Sequence, residues 1–231
     1  AFCASSAWGH AVWMEPRQGE VVVVYGEGPQ EDAYTPDRIK SIEAYSASGR
    51  TVSADTGADK GGYLPLAAPD TAALVAMEMD IGFYTQDADG SWHNKPRREV
   101  PNAKQAGHFV KYNLSVLDHV RKMPRRIDLP LVIVPQSDPL KLNSGDELRV
   151  RVLHRGKPLA DADLIGDYIN QASRVSARTD EDGYATVTVR NDGFNLLAVS
   201  FNEELTNDPD ADRLGMMSTL SFSLRYRRSG D

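Results

Sequence analysis

The nitrogen donor with the most suggestive surroundings in this sequence is His10. Residues 1–9 are small or apolar and uncharged, and they resemble the end of a secretory signal peptide. Ala7 and Gly9 stand three and one positions before a cut between Gly9 and His10, as signal peptidase requires. That cut would make His10 the N-terminal residue, whose amine and imidazole together chelate a divalent transition metal.

Two other outcomes at the N-terminus are open from the residues alone. A cut after Ala7, with Ser5 three positions before it, would expose Trp8-Gly9-His10. A free amine two residues before a histidine is an arrangement that binds copper or nickel. If residues 1–9 are retained, no amine is free beside the histidine, which is then an ordinary solvated side chain.

Three further residues are candidate ligands for the same metal. His108 is in alternation phase with Val110 and Tyr112, so it is either a hydrogen-bonded core histidine or a half-buried ligand. His93 lies in a turn-rich segment, where the alternative is an exposed loop histidine. Glu15 would lend a carboxylate or orient an imidazole. Two or three nitrogens with one oxygen suit nickel, cobalt or copper.

Other residues that could do chemistry lack the required pattern. Asp208, Asp210 and Asp212 resemble the start of a calcium loop, but Arg213 stands where the loop needs glycine. The chain contains no Gly-x-Ser-x-Gly motif, no phosphate-binding glycine loop and no dinucleotide fingerprint. We therefore predict a protein that is not an enzyme.

Composition excludes several classes of protein. The 231 residues carry a formal net charge of −7, which disfavours nucleic acid as a partner. No apolar run approaches the ~20 residues that span a bilayer, so we expect no membrane-spanning segment. Cys3 is the single cysteine, and an exported chain without disulfides fits the periplasm.

The elements that must position these residues are predicted to be strands. Apolar runs and alternation separated by glycine and aspartate turns predict an all-β protein with two antiparallel β-sandwich-like domains. We place a signal remnant at 1–9, an N-terminal domain at 10–128 and a C-terminal sandwich at 129–231, with the basic segment Arg121–Arg126 in the connection. The predicted strands are 20–25, 39–45, 72–80, 81–85, 108–116, 131–134, 147–154, 184–189, 195–201 and 219–226. A helix is the alternative for 108–116, and Asn202–Gly215 is predicted to be a long loop.

Several segments carry a resemblance to a known family. Four segments follow one another along the chain: His10-Ala-Val-Trp-Met-Glu-Pro16, Gly90-Ser-Trp-His-Asn-Lys95, Leu131-Val-Ile-Val-Pro-Gln-Ser-Asp-Pro139 and Gly145-Asp-Glu-Leu-Arg-Val-Arg-Val-Leu153. In that order they resemble a bacterial exported family of unknown function, whose members are commonly described as periplasmic components of cobalt or nickel uptake systems. The C-terminal half, with Gly156–Ala160 and Thr179–Gly183, is similar to transthyretin-like and carboxypeptidase-regulatory-like sandwiches.

The resemblance implies an exported, metal-handling role, although it supplies no ligand set. The resulting expectation is a periplasmic protein that binds nickel or cobalt, with copper as a third candidate, and serves a membrane transporter. The alternative expectation is a non-catalytic exported β-sandwich module for adhesion or for binding a polymer or protein.

Overall fold

The computed structural model describes residues 9–226, and nearly all of its regular structure is β, as the sequence predicts. The expected signal remnant lies almost wholly in residues 1–8, outside the described residues. A short α-helix spans Tyr168–Gln171, and 3-10 turns span Pro36–Arg38, Arg97–Glu99 and Pro139–Lys141.

Eighteen strands in the described residues form three sheets. The first sheet, in the order β1-β2-β7-β6 with β3 beside β2, contains β1 Ala11–Arg17, β2 Glu20–Glu27, β3 Gln30–Glu31, β6 Asp55–Thr56 and β7 Leu64–Ala67. The central sheet, in the order β15-β14-β17-β18-β10-β8-β4-β5 with β9 beside β8, contains β4 Ile39–Ser46, β5 Thr51–Val52, β8 Ala72–Gln86, β9 Trp92–His93, β10 Gln105–Val116, β14 Asp163–Ile165, β15 Ala177–Arg178, β17 Phe194–Glu204 and β18 Arg213–Ser223. The third sheet contains β11 Leu131–Pro135, β12 Glu147–His154, β13 Lys157–Pro158 and β16 Tyr184–Thr188.

The central sheet is covered on both faces. On one face, Val12 and Val23 of the first sheet pack with Met77 of β8. On the other face, Ile133 of the third sheet packs with Leu114 of β10. A third apolar cluster packs the opposite face of the first sheet, with Trp13 and Val24, against Met217 of β18, so both faces of the first sheet are buried.

The two predicted domains both contribute strands to the central sheet. β10, from the N-terminal half, pairs in parallel with β18, from the C-terminal half. The remaining strand pairs are antiparallel within the described residues. The central sheet therefore contains strands from both sides of the domain boundary that the sequence predicts at residue 128, and hydrogen bonds join the two halves of the chain.

Some strand boundaries differ from the prediction. The segment 108–116 is a strand, so its helical alternative is wrong, and the two strands predicted over 72–85 form the single strand β8. The predicted long loop contains the end of β17 and the start of β18, which leaves only 205–212 between them. Only the part of β18 from residue 219 onward was predicted, because the strand is buried on both faces over most of its length and its start shows no alternation.

Candidate metal-binding site

His10 directly precedes β1, and the pairing of β1 with β2 determines what faces it. The two strands are antiparallel, with Ala11 opposite Gly26. Continuing this register by one residue places His10 opposite Glu27, the last residue of β2. The strand pairing therefore brings a carboxylate to the first histidine.

A tight hairpin after β2 brings a second carboxylate to the same place. β2 turns into β3, and a Cβ on Gly26 would overlap the carbonyl oxygen of Gln30, so only glycine fits there. Asp32 follows β3, and its N–H donates to the carbonyl of Tyr25 at 2.8 Å. This bond returns the chain to the start of β1, with Asp32 beside the histidine.

The imidazole of His10 lies between the two carboxylates. Its Nε2 is hydrogen-bonded to Oδ2 of Asp32, and its Nδ1 is 3.8 Å from Oε2 of Glu27. When Nε2–H donates to Asp32, the ring keeps its lone pair on Nδ1, on the side of Glu27. The histidine side chain is 7% exposed, whereas those of Asp32 and Glu27 are 39% and 46% exposed. The site is therefore open to solvent at its acidic edge.

The main chain at Gly9 completes the surroundings of the imidazole. The hydroxyl of Tyr168, in the short helix, donates to the carbonyl of Gly9. A Cβ on Gly9 would overlap the carboxylate of Glu27, so this carboxylate lies directly against the backbone that enters His10. Burial raises the pKa of Tyr168 well above its usual value, with the charge of Glu27 adding to the effect, so the phenol remains a hydrogen-bond donor.

Sequence analysis also missed a buried lysine on the central sheet. Lys111 of β10 is 2% exposed. Burial lowers the pKa of its amine to about 7, and the negative charge of Glu27 acts in the opposite direction. One feature of the sequence could have revealed it: Lys111 is in phase with Asn113 and Ser115, a polar series inside an otherwise apolar strand.

The other predicted ligands lie elsewhere and have partners of their own. Glu15 accepts hydrogen bonds from Trp13 Nε1 at 2.9 Å and from Arg17 Nε at 3.1 Å. Nε2 of His93 is 2.7 Å from Oδ2 of Asp87. Neither Glu15 nor His93 is brought to the imidazole of the first histidine.

His108 occupies the face of the central sheet that the first sheet does not cover. Its Nε2 is 2.8 Å from Oδ1 of Asp80, and its ring stacks on Phe83 with the centroids 4.4 Å apart. Asp80 is paired with Val110, whose side chain belongs to the core beneath the third sheet. The structure therefore separates His108 from the site at β1.

No three side chains of histidine, cysteine, aspartate or glutamate converge as a metal site among residues 9–226. Glu27 and Asp32 approach opposite nitrogens of one ring, so these three groups do not surround a common point. Any metal centre at His10 therefore needs donors beyond these three side chains.

Comparison with known proteins assigns the chain to a family. Residues 7–203 match the model of a domain of unknown function, DUF4198. The chain belongs to this family. It is also 29% identical over 220 residues to an uncharacterized protein of Haemophilus influenzae (strain ATCC 51907 / DSM 11121 / KW20 / Rd), which covers 94% of this chain and 92% of that protein. The DUF4198 match includes His10, the β2–β3 hairpin and β10, and its description specifies no metal or activity.

Within residues 9–226, no helix has the length and apolar character needed to cross a bilayer.

Proposed function

We propose that this protein is exported to the periplasm, binds a divalent transition metal at His10 and passes it to a membrane transporter without chemical conversion. Nickel or cobalt is the proposed cargo, and copper suits the same donors. The observation that carries the proposal is the position of Glu27, whose carboxylate lies beside both Nδ1 of His10 and the backbone that enters this residue.

The donor set follows if processing opens the chain before His10. The freed amine and Nδ1 of the same residue form a chelate, and Oε2 of Glu27 supplies an oxygen on the same side of the ring. The 3.8 Å between Nδ1 and this oxygen is a distance that one metal ion can bridge with bonds of about 2.1 Å. The arrangement therefore provides two nitrogens and one oxygen.

Asp32 has a separate role in this proposal. A ligating histidine usually donates its other ring N–H to a carboxylate, which sets the tautomer and holds the ring in place. Asp32 is hydrogen-bonded to Nε2, the nitrogen remote from the metal. Its carboxylate thus prepares Nδ1 as the ligand.

The exposure and charge of the site at His10 determine how a metal cation would enter and leave it. The half-exposed side chains of Glu27 and Asp32 give a cation direct entry from solvent. The net charge of −7 favours the approach of cations.

Because protons compete for the amine and imidazole, metal affinity should fall as pH is lowered from about 8 to about 5. Affinity alone favours copper in the divalent series, so nickel and cobalt are proposed on the family resemblance.

Calorimetric titration with nickel tests the proposal on three purified forms: the chain beginning at His10, the same chain extended by Gly9, and the His10→Ala variant. Mass spectrometry of the exported protein establishes the natural N-terminus. We expect the chain beginning at His10 to bind about 100-fold more tightly than either other form, which corresponds to about 2.7 kcal/mol. His119→Ala, which changes an exposed histidine paired with Asp138, is the matched control and should bind like the parent.

Equal nickel affinity in all three forms would exclude His10 as the ligand. Absence of binding to nickel, cobalt and copper would favour the alternative function, an exported β-sandwich module that binds a polymer or protein.

A further inference from the structure

The third sheet has an outer face whose residues are set by the alternation of β12. Val150 and Val152 are fully buried in the core, so the residues between and beside them point to the opposite face. These outward residues include Arg149, Arg151 and Leu153. The outer face therefore combines apolar and cationic side chains on one strand.

A cavity of about 640 Å³ lies at one end of this face. Leu153 lines it together with Val132 and Val134 of β11, which share its face because Val132 is paired with Leu153. Residues 124–130, which lead into β11, form a further part of the lining. Ligand pockets in proteins measure about 300–1,000 Å³, so this cavity is large enough to enclose an aliphatic side chain.

Three arginines line the same cavity. Arg125 and Arg126 belong to the connecting segment, and Arg155 belongs to the turn after β12. Arg126 is paired with Asp128 at 2.7 Å, and Arg155 is paired with Glu203 at 3.0 Å. Both of these arginine side chains are more than half exposed, and exposed ion pairs are weak. An incoming carboxylate can therefore compete for them.

Two further arginines extend the basic surface beyond the cavity. Cζ of Arg149 lies 4.0 Å from the centroid of the Tyr184 ring, and Cζ of Arg151 lies 4.8 Å from it. Stacking on one aromatic ring stabilises two neighbouring cations and leaves guanidinium N–H groups for other acceptors. In the described part of the chain, neither of these arginines is in an ion pair with a carboxylate, and neither is Arg125.

The spacing of these groups indicates the shape of the ligand. The strand rises roughly 13 Å from Leu153 to Arg149, so a ligand that fills the cavity and reaches both stacked arginines is elongated. In an extended peptide, alternate side chains point the same way, which matches the two-residue spacing of Leu153, Arg151 and Arg149. Carboxylates suit the arginines because the planar guanidinium binds them in bidentate fashion.

Other anionic ligands fit this surface less well. A bilayer presents its headgroups on a flat surface and cannot reach into a cavity, and a phosphate backbone carries no aliphatic group to fill one. Arginine in an apolar setting is also typical of protein interfaces, where it often contributes strongly to binding.

We propose that the outer face of the third sheet binds an extended acidic segment of a partner protein. An aliphatic side chain of this segment occupies the cavity, and its carboxylates bind Arg151, Arg149 and the arginines that line the cavity. The inference is independent of the proposed function, since none of these residues belongs to the site at His10.

Fluorescence anisotropy with the full chain and a labelled peptide tests this proposal. The peptide Glu-Ser-Glu-Ser-Leu-Ser-Glu-Ser-Glu has the same sequence in both directions and carries a carboxylate at every second position on either side of leucine. One control peptide has glutamine in place of each glutamate, and a second has serine in place of leucine. At about 0.1 M salt, we expect the parent peptide to bind at least about tenfold more tightly than either control.

Variants of the protein locate the binding surface. Arg151→Gln should weaken binding of the acidic peptide about tenfold, because it removes a charged hydrogen-bond donor. Arg125→Gln, at an exposed position, should weaken it about fivefold. Arg174→Gln changes the net charge equally at an exposed arginine beside the short helix, and this matched control should bind like the parent.

Three results would overturn the proposal. The first is failure of the acidic peptide to bind more tightly than its neutral control. The second is full affinity in both Arg151→Gln and Arg125→Gln, with circular dichroism confirming that they fold. The third is tighter binding of anionic phospholipid vesicles or of a thymidine oligonucleotide than of the peptide, lost in the same variants, which would assign the surface to a membrane or a nucleic acid.

Discussion

His10 and His108 both precede apolar strand segments and both pair with a carboxylate, yet their surroundings differ in ways that bear on function. His108 has one aspartate at Nε2, an aromatic ring against its face and a side chain that is a quarter exposed. His10 has carboxylates toward both ring nitrogens and is almost fully buried.

The comparison shows that a histidine–carboxylate pair does not by itself mark a metal site in this protein. Each of the five histidines has such a partner: His10 with Asp32, His93 with Asp87, His108 with Asp80, His119 with Asp138 and His154 with Glu203. The second carboxylate, that of Glu27, is what distinguishes His10.

The largest expected difference between the two regions is the loss of nickel affinity when the carboxylate beside each histidine, Glu27 or Asp80, is replaced. In the chain beginning at His10, Glu27→Gln removes the proposed oxygen ligand and should lower nickel affinity about 30-fold, or about 2 kcal/mol. Asp80→Asn should change it less than about twofold, because Asp80 serves a structural pair. Calorimetric titration measures both, and equal losses would remove the distinction between the regions.

A smaller effect is expected from Asp32, which orients the imidazole and is not proposed to touch the metal. Asp32→Asn keeps the shape of the side chain but weakens its hold on the Nε2–H, and nickel affinity should fall about tenfold. His108→Gln, measured in parallel, should leave nickel affinity unchanged. Loss of binding in His108→Gln would restore this residue as a ligand.

The pair of His108 and Asp80 should instead stabilise the folded protein against unfolding. Burial by itself raises the pKa of the Asp80 carboxyl group. The hydrogen bond and charge interaction with His108, together with the hydrogen bond from the N–H of Gly82, lower it by more, so the pKa lies below its usual value. A depressed carboxyl pKa stabilises the fold above the unfolded pKa of about 3.9, and this contribution is lost as pH falls through the folded pKa.

His108→Gln should accordingly lower the free energy of unfolding by about 1 kcal/mol near pH 6, and the difference should vanish near pH 2. Urea denaturation across this range provides the measurement. A difference that stays constant down to the lowest pH would indicate lost packing on Phe83 rather than a lost ion pair.

The smallest effect is expected at His93, which is paired with Asp87 in an exposed turn. Exposed ion pairs contribute little to stability, so His93→Gln should leave the melting temperature and the nickel affinity unchanged. A clear loss of nickel affinity would show that the site extends to β9, as the sequence alone suggested.

Much of the fold was predictable from local patterns. Val21–Val24 indicates a strand because β-branched side chains favour the extended backbone, and β12 indicates one because its alternation matches the two-residue period of a pleated strand. The start of β18 was missed, since a strand buried on both faces has no alternation. The parallel pairing of β10 with β18 could not be predicted, because strand partners distant in sequence leave no local pattern.

For the candidate site, the sequence alone indicated one residue, His10, through the small residues before it and its position before an apolar strand. Glu27 and Asp32 have no such context, and only the tertiary structure decided their place. The β1–β2 register puts Glu27 opposite the histidine, and the hairpin at Gly26 returns Asp32 to it. The reason is physical: hydrogen-bond register and sheet packing join residues that are distant in the chain, and neither is encoded in the spacing of neighbouring residues.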